Sequence, residues 1–235
     1  AGQFREPWGI GIGSDGTIYV ADTWNHRVQH FSTKGDYINS WGEFGTAASF
    51  DEQASPGHFY GPRDVAVGTN GLVYVSDTGN HRIQVFSAKG RYIGVIGKQG
   101  TLPGDLNEPV GLAFTSNGEL LVADTWNGRV DVFGTDHSFV RSWDIVGWYG
   151  QLPDNKPYIT VDAQDRVYVT DPESYRVLMF QADGTYLAGF GQYGTDTVGM
   201  NLPTGLDIDT KGNIFVSDTG NNRIVQFAGF DLDLP

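Results

Sequence analysis

The sequence predicts an all-β fold, a β-propeller of five blades with four antiparallel strands in each blade. Three observations predict it. A charged pattern recurs five times, short β-runs separated by turn residues fill each repeat, and glycine (33 of 235 residues) and aromatic residues (13%) are abundant while charged residues make up only 18%. A glycine share of about twice the average is typical of turn-rich β-structure in a folded chain and not of disorder.

Each repeat carries an aspartate followed five residues later by an arginine. The pairs are Asp22/Arg27, Asp77/Arg82, Asp124/Arg129, Asp171/Arg176 and Asp218/Arg223. Repeats of roughly 40 to 50 residues with four short strands are the usual signature of propellers. The pattern predicts one domain, which we expect to be part of a longer protein. Its predicted units are 1–45, 56–100, 101–147, 148–194 and 195–235, with an insertion at 46–55.

Four β-runs fill each of the first four units. The first run alternates large and small residues, as in Ile10-Gly11-Ile12, and the second is apolar on both faces, as in Val73–Ser76. A strand without polar alternation needs cover on both sides. The third run follows the arginine, and the fourth follows a glycine turn. Four antiparallel strands per repeat favour a propeller over a linear solenoid.

The fifth unit decides the blade count. It supplies three clear runs and a possible short fourth at 230–234. Together with the sixteen runs of the first four units, this makes nineteen or twenty strands, which falls short of the roughly 24 strands that a six-bladed ring would use. The sequence therefore predicts five blades, with a truncated six-bladed propeller as the alternative.

Charge and composition exclude several function classes. The formal net charge is −13, and there is no cysteine. A field of this sign repels nucleic-acid phosphates and anionic lipid headgroups, so we expect no nucleic-acid partner. Without cysteine there is no disulfide framework and no thiolate chemistry. No apolar run approaches the roughly 20 residues that span a bilayer, so we expect no direct membrane insertion of this segment.

The segment Asp-Thr-Trp-Asn-His-Arg at 22–27 and its copies at 77–82, 124–129 and 218–223 resemble the motif of NHL-repeat β-propellers. The Pro-x-Gly before the first strand, as in Pro7-Trp8-Gly9, extends the resemblance over essentially the whole chain. The resemblance implies propellers that mostly bind proteins, RNA or glycans, with some enzymatic relatives and most often six blades. Unit four departs most, with Lys156 in the proline position.

The five Asp/Arg pairs are interpreted as a structural motif. A carboxylate can cap a turn and a guanidinium offers a planar fork, so five equal copies favour a structural role over catalysis. Of the five histidines, His26 and His81 share one loop position, and the other three lie at unrelated repeat positions, so they are not interpreted as metal ligands. We therefore expect no catalytic residue, no metal and no cofactor.

Candidate binding residues are sought where the repeats disagree. Beside the innermost strand these are Trp8, Arg63, Asp64 and Tyr158; in the loop after the second strand they are Trp24, Trp126 and Tyr175, where other repeats carry Gly79 and Gly220. Both loop classes open on the same face of a propeller. Aromatic rings beside carboxylates suit a sugar ring or a peptide. The alternative is that these rings fill space between neighbouring blades.

The leading functional hypothesis is a noncatalytic interaction module that binds a protein or glycan at the entrance of the channel. We expect it to be the extracytoplasmic or secreted part of a larger bacterial protein, with a membrane protein or a secreted protein as the parent. The alternative is a metal-dependent hydrolase or lyase with its site at the channel mouth. RNA binding is disfavoured because lysine and arginine are scattered and five of the fifteen are motif arginines.

Overall fold

The computed structural model describes residues 2–46, 54–149 and 156–229. The chain forms two compact units, Ala1–Asp144 and Ile145–Pro235. Each consists of antiparallel β-sheets and one short parallel strand pair, joined by turns and single-turn 3-10 segments. Among the described residues there is no helix long and apolar enough to cross a membrane.

Unit 1 contains three sheets of four strands, which we call blades 1 to 3. Blade 1 is β1 (Ile10–Ile12), β2 (Ile18–Asp22), β3 (Arg27–Phe31) and β4 (Tyr37–Trp41). The short strands β5 (Glu43–Phe44) and β6 (His58–Phe59) pair in parallel on the way to blade 2. Blade 2 is β7 (Asp64–Val67), β8 (Val73–Asp77), β9 (Arg82–Phe86) and β10 (Tyr92–Ile96). Blade 3 is β11 (Pro109–Phe114), β12 (Leu120–Asp124), β13 (Arg129–Phe133) and β14 (Phe139–Asp144).

Unit 2 contains the fourth and fifth sheets. Blade 4 is β15 (Ile159–Val161), β16 (Val167–Asp171), β17 (Arg176–Phe180) and β18 (Tyr186–Phe190). A parallel pair, β19 (Gln192–Tyr193) and β20 (Gly199–Met200), leads to blade 5. Blade 5 is β21 (Pro203–Ile208), β22 (Ile214–Asp218) and β23 (Arg223–Phe227).

The predicted fold class is confirmed: the chain is an all-β protein of five antiparallel propeller blades. Each of the four predicted runs in units one to four is a strand, in the order of a simple meander. The possible fourth strand of blade 5, at 230–234, lies outside the described residues, as does most of the insertion at 46–55. The truncated six-bladed alternative therefore stays a prediction.

The alternation of large and small residues in the first strand has a packing cause within unit 1. A Cβ atom on Gly11 would clash with the carbonyl oxygen of Val65, so only glycine lets the innermost strands of blades 1 and 2 approach this closely. Beyond this contact, Tyr19 and Val28 of blade 1 pack against Val75 of blade 2 in one buried cluster. Blades 2 and 3 meet in a second such cluster.

Blade 1 departs from the expectation of cover on both faces. Ile10 and Ile12, on the face opposite to blade 2, are 64% and 58% exposed. The corresponding residues of blade 2, Val65 and Val67, are buried and half-buried against blade 1. Apolar cover on both faces thus holds for blade 2 and does not hold for the first strand of blade 1.

Within unit 2, blades 4 and 5 pack through one buried cluster. It joins Tyr168, Val177 and Met179 of blade 4 to Ile214 and Val216 of blade 5. The turn between β15 and β16 carries Asp165 where other repeats have glycine, and its φ of 59° places it in the left-handed region, which aspartate tolerates better than most residues.

Candidate functional site

The 3-10 turns and the connections between blades lie at the same end of each sheet, which we call the loop end. The opposite end, with the tight turns between the first and second and the third and fourth strands, we call the turn end. The motif 3-10 turns are Thr23–Asn25, Thr78–Asn80, Thr125–Asn127, Pro172–Ser174 and Thr219–Asn221. Each begins after the motif aspartate and ends in a residue with left-handed backbone.

The motif aspartates are fully buried and hold the loop end together. Asp77 is representative: its Oδ1 accepts a hydrogen bond from the backbone N–H of Tyr60 at 2.8 Å, and its Oδ2 accepts one from Arg82 Nε at 2.8 Å. Asn80 donates to both oxygens at 3.0 Å. One carboxylate therefore ties the connection from the previous blade to the 3-10 turn and to the third strand.

The same constellation in blade 1 lowers the pKa of its aspartate. Burial alone raises the pKa of Asp22, but hydrogen bonds from the Arg5 N–H, Asn25 and Arg27 together outweigh that effect and hold the pKa below its usual value. The carboxylate is thus stabilised in its charged form at neutral pH.

The motif arginines continue the network into the connections between blades. Arg129 donates to the carbonyl oxygens of Thr101, Leu102 and Asp105 at 3.0, 3.0 and 2.8 Å. Arg223 makes the equivalent contacts in blade 5. The guanidinium groups are occupied by backbone carbonyls, so the pairs act as anchors of the loops. In blade 4 Arg176 also pairs with Asp171, at 2.9 Å.

Blade 3 differs from blades 1 and 2 beside this anchor. Where they carry Gln29 and Gln84, whose amides donate to the motif aspartate, blade 3 carries the fully buried Asp131. Arg129 Nε lies 3.1 Å from Asp124 Oδ2 and 3.0 Å from Asp131 Oδ2. Burial and the neighbouring Asp124 carboxylate raise the pKa of Asp131 to about 8. One arginine therefore serves two carboxyl groups, one of them holding a proton at neutral pH.

Two histidines of the motif link successive blades, a role the sequence did not indicate. His26 Nδ1 accepts a hydrogen bond from the N–H of Gly61 at 3.2 Å, and His81 Nδ1 accepts one from the N–H of Glu108 at 3.1 Å. An accepting nitrogen carries no proton, and burial lowers the pKa of both side chains. Both histidines have left-handed backbone, with φ of 53° and 55°.

The candidate tryptophans Trp24 and Trp126 each pair with a glutamate of the preceding connection. Trp126 Nε1 donates to Glu108 Oε2 at 2.8 Å, and Trp24 Nε1 donates to Glu6 Oε2 at 3.1 Å. Trp126 is 48% exposed. We call these two contacts the Trp–Glu pairs. They place an indole ring and a carboxylate together on the loop end of blades 1 and 3.

Blades 2 and 5 form the same loop without these side chains. Gly61 and Gly79 stand in the two positions of the pair in blade 2, and Leu202 and Gly220 stand there in blade 5. The residue before the proline keeps its left-handed φ in both blades, 60° at Gly61 and 52° at Leu202. The backbone of the loop end therefore does not depend on the Trp–Glu pair.

Trp8 and Arg63, which share a repeat position, come together. The Arg63 guanidinium carbon lies 3.9 Å from the centroid of the Trp8 ring, which is a cation–π contact between blades 1 and 2. Both side chains are half-buried.

Asp64 and Tyr158 differ from the expected surface ligands. Asp64 is 7% exposed, and its carboxylate accepts the N–H groups of Val65 and Leu112, both at 2.8 Å. It thereby joins the innermost strands of blades 2 and 3, because polar groups buried between sheets need hydrogen-bond partners. Tyr158 is 9% exposed at the start of blade 4.

Tyr175 does not occupy the tryptophan position. It stands at the left-handed end of the 3-10 turn, with φ of 58°, in the place that His26 and His81 take in unit 1. The tryptophan position of blade 4 is Glu173. Tyr175 packs edge-on against Tyr193, which is 66% exposed, with ring centroids 4.9 Å apart. Repeat alignment by aromatic character was misleading here, because unit four departs from the motif.

No metal cluster marks the described part of the loop end. Within residues 2–46, 54–149 and 156–229, no three His, Asp or Glu side chains are grouped so that they could hold a metal ion. A shallow depression of about 520 Å³ lies at the turn end of blade 4, lined in part by Arg166, Gln181 and Asp183. The candidate surface is therefore the aromatic and acidic loop end rather than this depression.

The repeated blades and their shared anchors define a β-propeller repeat protein. The model of the NHL repeat matches residues 4–31, 59–86, 106–133 and 200–227, and the chain belongs to the NHL-repeat β-propeller family. The matched residues do not include blade 4, where the motif is most altered. An NHL propeller of this kind supports a role as a protein-interaction scaffold.

Similar proteins have diverse names. Protein brain tumor of Drosophila melanogaster is 33% identical over 93 residues, which are 39% of this chain and 8% of that protein. A probable peptidyl-alpha-hydroxyglycine alpha-amidating lyase of Caenorhabditis elegans is 36% identical over 101 residues, 41% of this chain and 27% of that protein. The chain thus spans 27% or less of the length of these relatives.

Solved structures share the fold. The streptogramin B lyase structure superposes with a TM-score of 0.64 at 16% identity, covering 95% of this chain and 68% of that one. At this level of identity the likeness concerns the fold alone.

Proposed function

We propose that this protein is a noncatalytic interaction module that binds a protein or glycan partner through the loop end of its blades. The observation that carries the proposal is the uneven distribution of the Trp–Glu pairs. Blades 1 and 3 have them, while blades 2 and 5 keep the same loop backbone without them. Side chains that the fold does not need, held in place and partly exposed, are suited to binding.

The chemistry of this surface supports the proposal further. Next to the Trp24–Glu6 pair lie Phe44 and Tyr60, which are 58% and 40% exposed and pack edge-on with ring centroids 5.8 Å apart. Exposed aromatic side chains with fixed polar neighbours are enriched at recognition sites. The name of the Drosophila relative states no ligand, so the proposal rests on this surface.

Two tyrosines of unit 1 allow a matched test. Tyr60 lies at the loop end and Tyr37 at the turn end, with exposures of 40% and 43%. Each is replaced separately by a photoreactive phenylalanine analogue, and the protein is irradiated in an extract of its source cells. We expect cross-linked partners from position 60, competed by excess unmodified protein, and none from position 37. Equal products from both positions, or products from position 37 alone, contradict the proposal.

The glycan form of the proposal has its own test. On an array of immobilised glycans, the intact chain is compared with Trp24→Ala and Trp126→Ala. A glycan that binds the intact chain and loses most of its signal with either variant supports a glycan partner. Glycan signals that neither variant changes contradict it.

A lyase is the second candidate, favoured by the name of the nematode relative. Elemental analysis of the purified chain, together with an assay on a peptidyl-α-hydroxyglycine, tests it. A tightly held stoichiometric divalent ion with turnover supports the lyase and replaces the noncatalytic proposal.

The extracytoplasmic or secreted location, in a longer bacterial protein, is also a proposal. Fractionation of the source cells with an antibody to this chain tests it. Recovery only with cytoplasmic markers contradicts it.

A further inference from the structure

We propose that the two Trp–Glu pairs are sites for cationic side chains, so that the partner of the loop end presents lysine or arginine residues of a basic peptide segment. This inference rests on the proposed function, because it names the partner chemistry of the same surface. It predicts a polypeptide rather than a glycan as the partner.

The geometry of the pair carries the first step. In blade 3 the Glu108 carboxylate accepts the indole N–H of Trp126 at 2.8 Å, which fixes the ring and places a negative charge at its edge. The face of an indole ring attracts cations through its quadrupole, and tryptophan is the strongest of the aromatic side chains in this respect. With Trp126 48% exposed, an ammonium or guanidinium group can reach the ring and the carboxylate together.

Backbone hydrogen bonds hold the glutamate of the blade 3 pair in position. The N–H of Glu108 donates to His81 Nδ1 at 3.1 Å, and its φ is 49°. The N–H of the next residue toward the chain start, Asn107, donates to Asp124 at 2.6 Å. Two backbone hydrogen bonds thus hold the segment that carries the carboxylate. A group fixed before binding loses less conformational entropy when it binds.

A contact already present in the molecule illustrates the chemistry. The Arg63 guanidinium lies 3.9 Å from the centroid of the Trp8 ring on the neighbouring part of unit 1. The net charge of −13 adds a long-range attraction for a basic partner, which increases its rate of association at low salt. The indole ring, the carboxylate and the negative net charge of the protein therefore all favour a positively charged ligand.

The test uses ¹⁵N-labelled protein and follows the indole N–H signals during titration with capped tetra-arginine, and with capped tetra-glutamine as the uncharged control. We expect the Trp24 and Trp126 signals to shift and saturate with tetra-arginine and to stay in place with tetra-glutamine. The buried Trp148, whose indole donates to the Thr170 carbonyl at 2.9 Å, serves as an internal reference. Single Trp→Phe variants assign the signals.

Two variants that remove one negative charge separate the site from the general field. Glu108→Gln keeps an oxygen that can accept the indole N–H and removes the charge beside the ring. Asp36→Asn removes an exposed charge at the turn end of blade 1. We expect Glu108→Gln to raise the midpoint of the Trp126 titration by about 3-fold, consistent with the modest energy of an exposed ion pair, and Asp36→Asn to leave it nearly unchanged.

Three results overturn the inference: no shift of either tryptophan, an equal shift with tetra-glutamine, or an equal effect of the two charge variants. If partners are nevertheless cross-linked from position 60, the loop end binds by other chemistry and the proposed function stands. If position 60 captures nothing while the tryptophans bind tetra-arginine, the cation site stands and the interaction module fails.

Discussion

Blades 2 and 3 build the same loop end with different side chains. Both hold a buried aspartate against an arginine, and both receive the N–H of the preceding connection on the aspartate, at 2.8 Å in blade 2 and 2.6 Å in blade 3. Blade 3 adds a Trp–Glu pair where blade 2 has glycines. Blade 3 also replaces a glutamine by a second buried aspartate. The comparison separates what every blade needs from what single blades add.

Removal of the shared arginine in blade 2 has the largest expected effect. The Arg82 and Asp77 side chains are 2% and 0% exposed. Arg82→Met leaves a buried carboxylate without its counter-ion, and losing one partner of a buried pair costs about 3–5 kcal/mol of unfolding free energy. Urea unfolding followed by tryptophan fluorescence measures it. Arg223→Met, whose guanidinium is 32% exposed, is the control and is expected to lose clearly less. Equal losses contradict the assigned role of burial.

Conversion of blade 3 to the blade 2 pattern has the next largest effect. Asp131→Gln replaces a buried acid by an amide that can donate to Asp124, as Gln84 does to Asp77 at 3.0 Å. We expect the free energy of unfolding to rise by about 1–3 kcal/mol near pH 8, because this is the typical cost of a badly satisfied buried polar group.

The pH dependence gives the sign of this effect. Burial and the Asp124 carboxylate raise the pKa of Asp131 to about 8, whereas an unfolded aspartate titrates near 4. Between about pH 4 and pH 8 the folded state therefore keeps a proton that the unfolded state has released. The stability that this group contributes is fully present below about pH 4 and is lost as the pH rises to about 8. Unfolding free energies between pH 5 and 9 are expected to fall more steeply for the wild type than for Asp131→Gln. Parallel curves contradict the buried acid.

The histidine between blades 2 and 3 has a smaller effect. Burial lowers the pKa of His81, whose Nδ1 accepts the Glu108 N–H, so stability is present above about pH 6.5 and is lost as the pH falls below it. His81→Asn keeps a residue that adopts the left-handed backbone, as Asn222 does in blade 5. We expect this substitution to lower the free energy of unfolding by about 0.5–1 kcal/mol at pH 7.5 and to make that free energy depend less on pH between pH 7 and 5. An unchanged acid slope contradicts the hydrogen bond.

Removal of Trp126, the ring that blade 3 adds, is expected to change the stability least. Trp126→Ala removes a ring that is nearly half exposed and that blade 2 replaces by Gly79. Exposed substitutions of this kind stay within about 0.5 kcal/mol. A loss above about 1.5 kcal/mol in urea unfolding means that the ring packs for stability, as the alternative interpretation from the sequence holds.

Repeat spacing and turn residues were sufficient to predict the strands of blades 1 to 4. They could not reveal that Glu108 meets Trp126, because the two residues stand 18 positions apart in separate loops. The burial of Asp64 was equally hidden, since its partner Leu112 belongs to the next blade. Contacts within one hairpin follow from local sequence, and contacts between blades depend on how the sheets stack.

The most direct test of the central claim compares two variants of blade 3 for stability and for tetra-arginine binding in the same buffer. We predict that Glu108→Gln weakens binding at the Trp126 signal and leaves the urea unfolding free energy within about 0.5 kcal/mol. Asp131→Gln is predicted to raise the unfolding free energy and leave binding unchanged. The claim that shared positions hold the blades while the added pair binds is contradicted if Glu108→Gln destabilises the protein without weakening binding, or if Asp131→Gln weakens binding as much.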